Sequence, residues 1–221
     1  MGGLLDLLLP PRCGGCRRLG TWFCDSCRAK VRPPEPPLCR RCGRELAFVN
    51  EGCGCSRKLR SVGRIVAAAI YDGPLERALH RLKYEGWRSL GPALGDLLAE
   101  RLAAEALPAA RALAVPLHAE RLKQRGFNQS ELLLRRLRLP APAGRLERVR
   151  DTPPQVGQDR LHRLANVRDA FRWTGPTLGG QPVIVVDDVT TTGATLDACA
   201  AGLTDSGAGF VIGVTLARVR L

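Results

Sequence analysis

Eight of the nine cysteines lie in the first quarter of the chain, and their spacing is typical of metal ligands. A Cys-x-x-Cys turn presents two sulfur atoms on one side of a tight knuckle, so two such turns complete a tetrahedral site of four thiolates. The expected chemistry is structural binding of two Zn²⁺ ions. The eight cysteines form four pairs, which are Cys13 and Cys16, Cys24 and Cys27, Cys39 and Cys42, and Cys53 and Cys55.

A proline-rich spacer, residues 31–37, separates the first four of these cysteines from the last four and favours one metal site on each side. Because the last pair is Cys-x-Cys, an interleaved pairing of the knuckles remains open. A disulfide framework is the competing interpretation of an even number of cysteines. The N-terminal leucines have no basic leader and include Asp6, so we expect no signal peptide, a cytoplasmic location and reduced thiols.

A second chemical motif lies near the C-terminus, in residues 183–195. A buried strand, predicted over Val183–Val186, is followed by two acids, Asp187 and Asp188, in a loop that leads into a helix. Consecutive backbone N–H groups at a helix N-terminus form an anion cradle, to which hydroxyl groups add donors. Two carboxylates beside a phosphate site fit ribose hydroxyls or a Mg²⁺ ion that bridges ribose and pyrophosphate. The donors belong to residues 190–195, the Thr-rich loop, which comprises Thr190, Thr191, Thr192, Gly193, Ala194 and Thr195.

Residues 183–195 resemble the phosphoribosyl-diphosphate (PRPP) signature of type I phosphoribosyltransferases, and the chain as a whole resembles the ComF family associated with bacterial competence. The ComF resemblance begins with the segment 4–16, LLDLLLPPRCGGC, and includes Leu82-Lys83-Tyr84. It continues through residues 115–129, VPLHAERLKQRGFNQ, and ends at residues 216–218, LAR. A double zinc ribbon followed by a phosphoribosyltransferase-like domain is therefore expected.

The resemblance implies roles for the motif residues. The Thr-rich loop would hold the 5′-phosphate of PRPP, and Asp187 and Asp188 would lie by the ribose. The loop at residues 115–117 would face the pyrophosphate, which arrives with Mg²⁺. Arginine gives bidentate phosphate contacts where lysine gives a point charge. The cationic clamp would be Arg121, Lys123 and Arg125, and a second polar set that closes over the site would be Gln155, Arg163 and Asn166.

Steps of alternating strands and helices position these motifs. Predicted strands at 64–71, 112–116, 183–186 and 210–216 alternate with predicted helices that begin at Pro74, Pro92, Gln129 and Ala194. The second of these helices is expected to reach about Leu107. This alternation indicates an α/β fold with a largely parallel sheet, whose ligands bind beyond the carboxyl ends of the strands. Residues 1–60 would form the double zinc ribbon, with two sites of four cysteines each, and residues 61–221 the phosphoribosyltransferase-like domain.

Charge and composition limit the partners. The formal net charge is +13, and the first 64 residues hold thirteen basic against five acidic side chains. Eight thiolates on two Zn²⁺ ions would lower the net charge to about +9. The remaining charge predicts single-stranded DNA as a partner through arginines 12, 17, 18, 28, 40, 41 and 44, while an aromatic content of 5% argues against base stacking. No stretch reaches the roughly 20 apolar residues that a membrane-spanning helix needs.

Three functions remain open at this stage. The chain is a transferase that acts on PRPP and an unknown acceptor, a non-catalytic PRPP-binding or DNA-processing helper of the competence machinery, or a zinc-ribbon nucleic-acid binder. The intact acid pair and loop disfavour the third. Tyr84 and Trp87 are the candidates for stacking on an acceptor. The oligomeric state is left open.

Overall fold

The computed structural model describes residues 10–49, 51–149 and 170–220. None of the helices in these ranges combines the length and the apolar character that a bilayer crossing requires. In chain order the elements are α1 (Asp25–Arg28), a 3-10 turn (Cys55–Arg57), β1 (Arg64–Ile70), α2 (Gly73–Tyr84), α3 (Leu90–Ala103), β2 (Arg111–Ala114), α4 (Ala119–Arg125), α5 (Gln129–Leu137), β3 (Arg145–Arg148), β4 (Phe171–Thr174), β5 (Pro182–Thr190), α6 (Ala194–Thr204) and β6 (Phe210–Arg218).

A parallel sheet of four strands forms the centre of the molecule, in the order β1-β6-β5-β2. Both faces are buried, as strands rich in valine and isoleucine require. Ile184 and Val186 pack with α2, α3 and α5 on one face, whereas Val183 and Val185 pack with α6 on the other. The α/β class, with a largely parallel sheet flanked by helices and preceded by a cysteine-rich module, is confirmed.

The strong apolar patterns predicted their elements well, and α5 and α6 have the expected bounds. The helix predicted from Pro92 to about Leu107 is α3, which ends earlier, at Ala103. Glu105, just beyond its end, forms ion pairs with Arg64 and Arg101. An antiparallel hairpin of β3 and β4 packs beside α6 and was not expected. The helix α4 was also not expected, since its sequence AERLKQR has no buried residue.

The position of the acids requires a correction. Asp187 and Asp188 do not lie in a loop, because β5 continues through both of them to Thr190. Pairing with β6 enforces this extension: the register joins Asp187 to Thr215 and Thr190 to Arg218. Adjacent residues of a strand point to opposite faces, so the two carboxylates differ in burial. Asp188 is 4% exposed, and Asp187 is half-buried.

Candidate functional site

The first four cysteines form one cluster. The Sγ atoms of Cys13, Cys16, Cys24 and Cys27 all lie within 4.8 Å of one another, and those of Cys16 and Cys24 are 3.7 Å apart. A tetrahedral zinc ion with Zn–S bonds of about 2.3 Å places its sulfurs about 3.8 Å apart. The donor set and its geometry therefore fit Zn²⁺. We call this group the first cluster.

The last four cysteines form the second cluster, with Cys39, Cys42, Cys53 and Cys55 again within 4.8 Å of one another. The sulfur atoms of Cys39 and Cys55 are 3.6 Å apart, and those of Cys42 and Cys53 are 3.3 Å apart. The Cys-x-Cys pair thus completes a site as well as a Cys-x-x-Cys pair does. The division of ligands expected from the proline spacer is the one that the cluster geometry shows.

The two knuckles repeat one backbone pattern at an offset of 26 residues. Cys13 N–H donates to the carbonyl of Arg18, and Cys39 N–H donates to the carbonyl of Arg44, both at 2.8 Å. An antiparallel bridge closes each knuckle, Arg12 with Leu19 and Leu38 with Glu45. The chain therefore holds two copies of one ribbon, and the repeated Cys-x-x-Cys spacing was the sequence signal for it.

The local environment favours thiolates at the start of each knuckle. Burial acts to raise the pKa of Cys13, but hydrogen bonds from the backbone N–H groups of Cys24, Cys16 and Gly15 outweigh it and lower the pKa to about 6. Burial is likewise opposed at Cys39 by backbone donors of Cys42 and Arg41, which lower its pKa to about 7. Thiolates are the form that binds zinc.

The first ribbon is fixed to α2 by two arginines. Arg77 Nε donates to the carbonyl of Gly15 at 2.7 Å, and the buried Arg81 donates to the carbonyl of Gly14. A Cβ built on Gly14 would lie 2.6 Å from Leu90 Cδ2, so a larger residue at this position would have to displace the leucine. The guanidinium of Arg81 also covers the ring of Trp87, with 5.4 Å between them. Trp87 is therefore part of the packing, and only Tyr84 remains as a stacking candidate.

The acid pair lies at the carboxyl end of the sheet beside a lysine from α2. Lys83 Nζ is 2.9 Å from Asp188 Oδ1, and both side chains are largely buried. Ser130 Oγ, from α5, donates to Asp187 Oδ1 at 3.0 Å, and the backbone N–H of Asp188 donates to the same oxygen at 2.9 Å. The other oxygen of Asp188, Oδ2, is buried and has no partner among the described residues. A buried carboxylate oxygen without a donor favours an incoming hydroxyl or cation.

The negative charge of Asp188 disfavours a second negative charge on Asp187. Burial, and next the charge of Asp188, raise the pKa of Asp187 to about 7, although Lys83 and Ser130 act to lower it. Perturbed carboxylates in a polar pocket are typical of ligand sites, although structural ion pairs perturb pKa values as well.

The Thr-rich loop connects β5 with α6. Thr190 is buried, while Thr191, Thr192 and Thr195 are exposed, so their hydroxyls are available to a ligand. Gly193 adopts a φ of +86°, and a Cβ there would lie 2.6 Å from the Cδ1 atom of Ile65. The loop thus leads from the acids into the start of an eleven-residue helix, where the N–H of Ala194 donates to Thr192 Oγ1 at 3.4 Å and the N-cap Gly193 has no side chain to occupy the following N–H groups.

The loop that follows β2 also lies next to the acids, because β2 pairs with β5. Val115 N–H donates to the carbonyl of Val186 at 2.8 Å, which places residues 115–118 next to Asp187. Asn128, buried, donates from Nδ2 to the carbonyl of Val115 at 2.9 Å and caps α5 by accepting from Ser130 N–H. The RGFNQ motif therefore fixes the shape of the loop rather than only supplying charge.

The residues of the expected cationic clamp lie on α4, the helix that directly follows this loop. Arg121 and Lys123 are exposed on α4 and form no ion pair with a described residue. Arg125 is half-buried: it donates to Gln129 Oε1 at 2.5 Å, and its guanidinium lies 5.5 Å from the ring of Tyr84. Arg125 thus joins the clamp to Tyr84, the neighbour of Lys83. Three further candidates, Gln155, Arg163 and Asn166, lie outside the described residues.

Sequence reasoning missed four residues that shape this region, although two of them lie in motifs that carry the resemblance. Lys83 and Arg218 belong to such motifs, yet neither had an assigned contact. Ser130 and Asp197 belong to helices that the apolar periodicity predicts, but this periodicity carries no information on the contacts of a polar side chain. Asp197 accepts from two backbone N–H groups more than 130 residues away, at Ser61 and Val62. Such contacts have no local sequence signal.

Comparison with known proteins agrees with the geometry. Residues 4–59 match the model of the double zinc ribbon domain. The chain is 34% identical over 220 residues to the DNA utilization protein YhgH of Escherichia coli K12, covering 93% of this chain and 96% of that protein. It is 30% identical over 188 residues to competence protein F of Haemophilus influenzae, covering 79% and 81%. It is 29% identical over 206 residues to competence protein ComFC of Bacillus subtilis, covering 88% and 83%.

Proposed function

Because the chain belongs to the ComF family, whose relatives carry the names of competence and DNA utilization proteins, we propose that it binds PRPP at the carboxyl ends of β2 and β5 and transfers the phosphoribosyl group. The observation that carries this proposal is the unpartnered buried oxygen of Asp188, which lies two residues before the Thr-rich loop. An acceptor for hydroxyl groups and a cradle for phosphate at this spacing match the two ends of a ribose 5-phosphate.

The acid pair recognises the ribose in this proposal. Asp188 Oδ2 accepts from one ribose hydroxyl, while Lys83 pairs with the same carboxylate at Oδ1. Asp187 is held by Ser130 and accepts from a second hydroxyl. Lys83 already supplies positive charge to the pair, so the acids fit hydroxyls better than direct ligation of Mg²⁺. A magnesium ion bound with PRPP would supply charge neutralisation of the pyrophosphate.

The two loops separate the ends of the ligand. Thr191, Thr192 and Thr195 donate to the 5′-phosphate, together with N–H groups at the start of α6. Arg121 and Lys123 lie on the side of the β2 loop, where the pyrophosphate leaves as its bond to C1 breaks and a bond from C1 to the acceptor forms. The protein needs no nucleophile of its own for this step, because it positions the reactants and stabilises the departing charge.

Binding and exchange measurements test the proposal. Titration calorimetry with PRPP and Mg²⁺ should give saturable binding to the wild-type protein, and Asp187→Asn should weaken it at least tenfold. Asp205→Asn, an exposed change at the far end of α6, is the matched control and should bind as the wild type does. Isotope exchange between pyrophosphate and PRPP, with a panel of bases and amines, tests transfer. Wild-type protein that binds no PRPP contradicts the proposal.

Single-stranded DNA is a second partner, favoured by the exposed side of the first ribbon. Arg12, Arg17 and Arg18 are exposed, and none of them forms an ion pair with an acid in the described ranges. Three arginines of the expected set are engaged elsewhere: Arg28 pairs with Glu100, Arg41 donates to the carbonyl of Val62, and Arg44 pairs with Glu51. Arg40 is exposed on the second ribbon. Most of the available cations therefore belong to the first ribbon, which is consistent with DNA contact there.

A further inference from the structure

We propose that the second cluster, when it holds zinc, positions the Thr-rich loop, so that metal at this site controls how well the loop binds a phosphate. The proposal rests on the proposed function only for the identity of the ligand. The coupling itself concerns contacts between two parts of this chain that are far apart in sequence.

One connection runs from the end of the second cluster to the turn of the loop. Leu59 is 1% exposed, and its N–H donates to the carbonyl of Cys55 at 2.8 Å. A Cβ built on Gly193 would lie 3.3 Å from the Cδ2 atom of Leu59, so this leucine lies directly against the turn of the loop. The last zinc ligand and the loop are thus separated by a single side chain.

The residues that follow Leu59 bind the first turn of α6. Asp197 Oδ1 accepts from Ser61 N–H at 2.8 Å and from Val62 N–H at 2.9 Å. A carboxylate that accepts two backbone donors fixes both partners, since charge-assisted hydrogen bonds are stronger than neutral ones. The segment 59–62 therefore determines where the helix begins, and the helix start determines where the phosphate donors point.

A second connection reaches the loop from β6. Arg218 is 3% exposed and donates to the carbonyl of Cys42, a ligand of the second cluster. Arg218 is the strand partner of Thr190, the first residue of the loop, and Val219 N–H donates to the carbonyl of Thr190 at 2.9 Å. Two residues after Arg218, Arg220 holds Glu45 of the same ribbon with contacts of 2.8 and 3.0 Å.

A third connection passes through β1. Ile65 N–H donates to the carbonyl of Arg41 at 2.7 Å, within the knuckle between Cys39 and Cys42. The side chain of the same Ile65 lies against Gly193. The knuckle therefore contacts β1, and β1 contacts the turn at Gly193, so no other described element lies between the second cluster and the loop on this route.

The first cluster provides an internal comparison. Its knuckle contacts Arg77 and Arg81 of α2, and no contact of its glycines reaches the Thr-rich loop within the described residues. A small metal-bound ribbon folds by binding its metal, so loss of zinc releases the local structure. Release of the second ribbon should loosen the Thr-rich loop, whereas release of the first should loosen α2.

Hydrogen exchange of the full-length protein tests this coupling without any ligand. We expect amides of residues 191–198 to exchange at least tenfold faster in Cys53→Ser than in the wild type, and to keep wild-type rates in Cys16→Ser. Asp197→Asn should accelerate the same amides while it retains both zinc ions, and Asp205→Asn, at the end of the same helix, should not. Amides of α5 serve as the measure of an intact fold in every variant.

Titration with PRPP adds the functional readout. Asp197→Asn should weaken PRPP binding at least tenfold with its zinc content unchanged. Loop amides that exchange alike in Asp197→Asn and the wild type overturn the coupling, even if Cys53→Ser fails to fold. Accelerated exchange together with no PRPP binding by the wild type keeps the coupling and rejects the proposed ligand.

Discussion

Lys83 is the residue on which the acid pair depends. Its ammonium group is 2.9 Å from Asp188 in a place where neither side chain is well hydrated. Replacing both acids by asparagine would therefore affect the fold as well as the ligand site, because Asp188→Asn leaves Lys83 without its counter-charge. A single change at Asp187 is the better test of the ligand site.

Removal of Lys83 should destabilise the protein. Lys83→Met leaves the buried Asp188 uncompensated, and breaking such a pair costs about 3 kcal/mol. Urea unfolding should show this loss in the free energy of unfolding. Lys30→Met, at an exposed position, is the matched control and should change it little. Equal effects of the two changes would mean that the pair of Lys83 with Asp188 contributes nothing to stability.

The pH dependence of PRPP binding follows from Asp187. Burial, and next the charge of Asp188, raise its pKa to about 7, so near neutral pH part of the population is protonated. A protonated carboxyl is a weaker acceptor for ribose hydroxyls, and PRPP affinity should therefore rise as the pH increases through about 7. In Asp187→Asn this component disappears, whereas Asp205→Asn keeps it. Calorimetry between about pH 6 and pH 8.5 compares the three proteins on either side of this pKa.

The same pKa affects stability with the opposite sign. The folded-state pKa of Asp187 is raised above its ordinary value of 3.8, so the folded protein holds this proton more tightly than the unfolded chain does. The stability from this proton is complete below about pH 4 and is lost as the pH rises through about 7. As the pH rises from about 5 to about 8, the free energy of unfolding of Asp187→Asn should therefore increase relative to that of the wild type.

At the level of elements, the sequence predicted what apolar periodicity controls. The bounds of α5 and α6, and the existence of all four sheet strands, follow from residues such as Leu133, Val185 and Leu203, which are buried where the pattern places them. The extension of β5 through Asp187 and Asp188 does not follow, because it depends on pairing with β6 across the chain. The division of the eight cysteines followed from spacing, but the contacts of Lys83 and Asp197 depend on the tertiary fold.

Gly193 gives a prediction for the loop that β5 and α6 share. Its φ of +86° disfavours a side chain, and a Cβ would also meet Ile65 at 2.6 Å. Gly179 has a φ of +59° with open space around it, so Gly179→Ala measures the backbone cost alone, about 1 kcal/mol. Gly193→Ala should lose more stability than this in urea unfolding and should weaken PRPP binding. An equal loss of stability at both positions would show that Ile65 can move away from the added Cβ at no measurable cost in free energy.

For the whole molecule, metal content is the first quantity to measure. Protein purified without chelator should hold two zinc ions per chain, since each cluster has four sulfurs at tetrahedral spacing. Cys55→Ser should lower the content to about one, and Cys199→Ser, at a buried cysteine that belongs to neither group of ligands, should leave it at two. A wild-type value near one would require a single site with other ligands.

Charge distribution predicts how the molecule meets DNA. Affinity for single-stranded DNA should fall with salt by about 0.7 log units per log of salt for each phosphate contacted. Arg12→Gln with Arg18→Gln should lower both the affinity and this slope. Arg135→Gln with Arg172→Gln removes the same charge from exposed positions outside the ribbons and is the matched control. Fluorescence anisotropy with a labelled oligonucleotide measures both quantities. If the wild type does not bind the oligonucleotide even at low salt, the positive charge does not serve contact with DNA.

The strand order also bears on how the protein is made. A ribosome delivers β6 after every other described element, yet β6 lies between β1 and β5 and pairs with both. Until it emerges, β1 has no strand partner and β5 is paired on one edge only, by β2, and such open edges invite association between chains. The ribbons need only ligands that lie close together in sequence, so they can close early. During synthesis the two ribbons can therefore be folded around their metal ions while the sheet still lacks its central strand, β6.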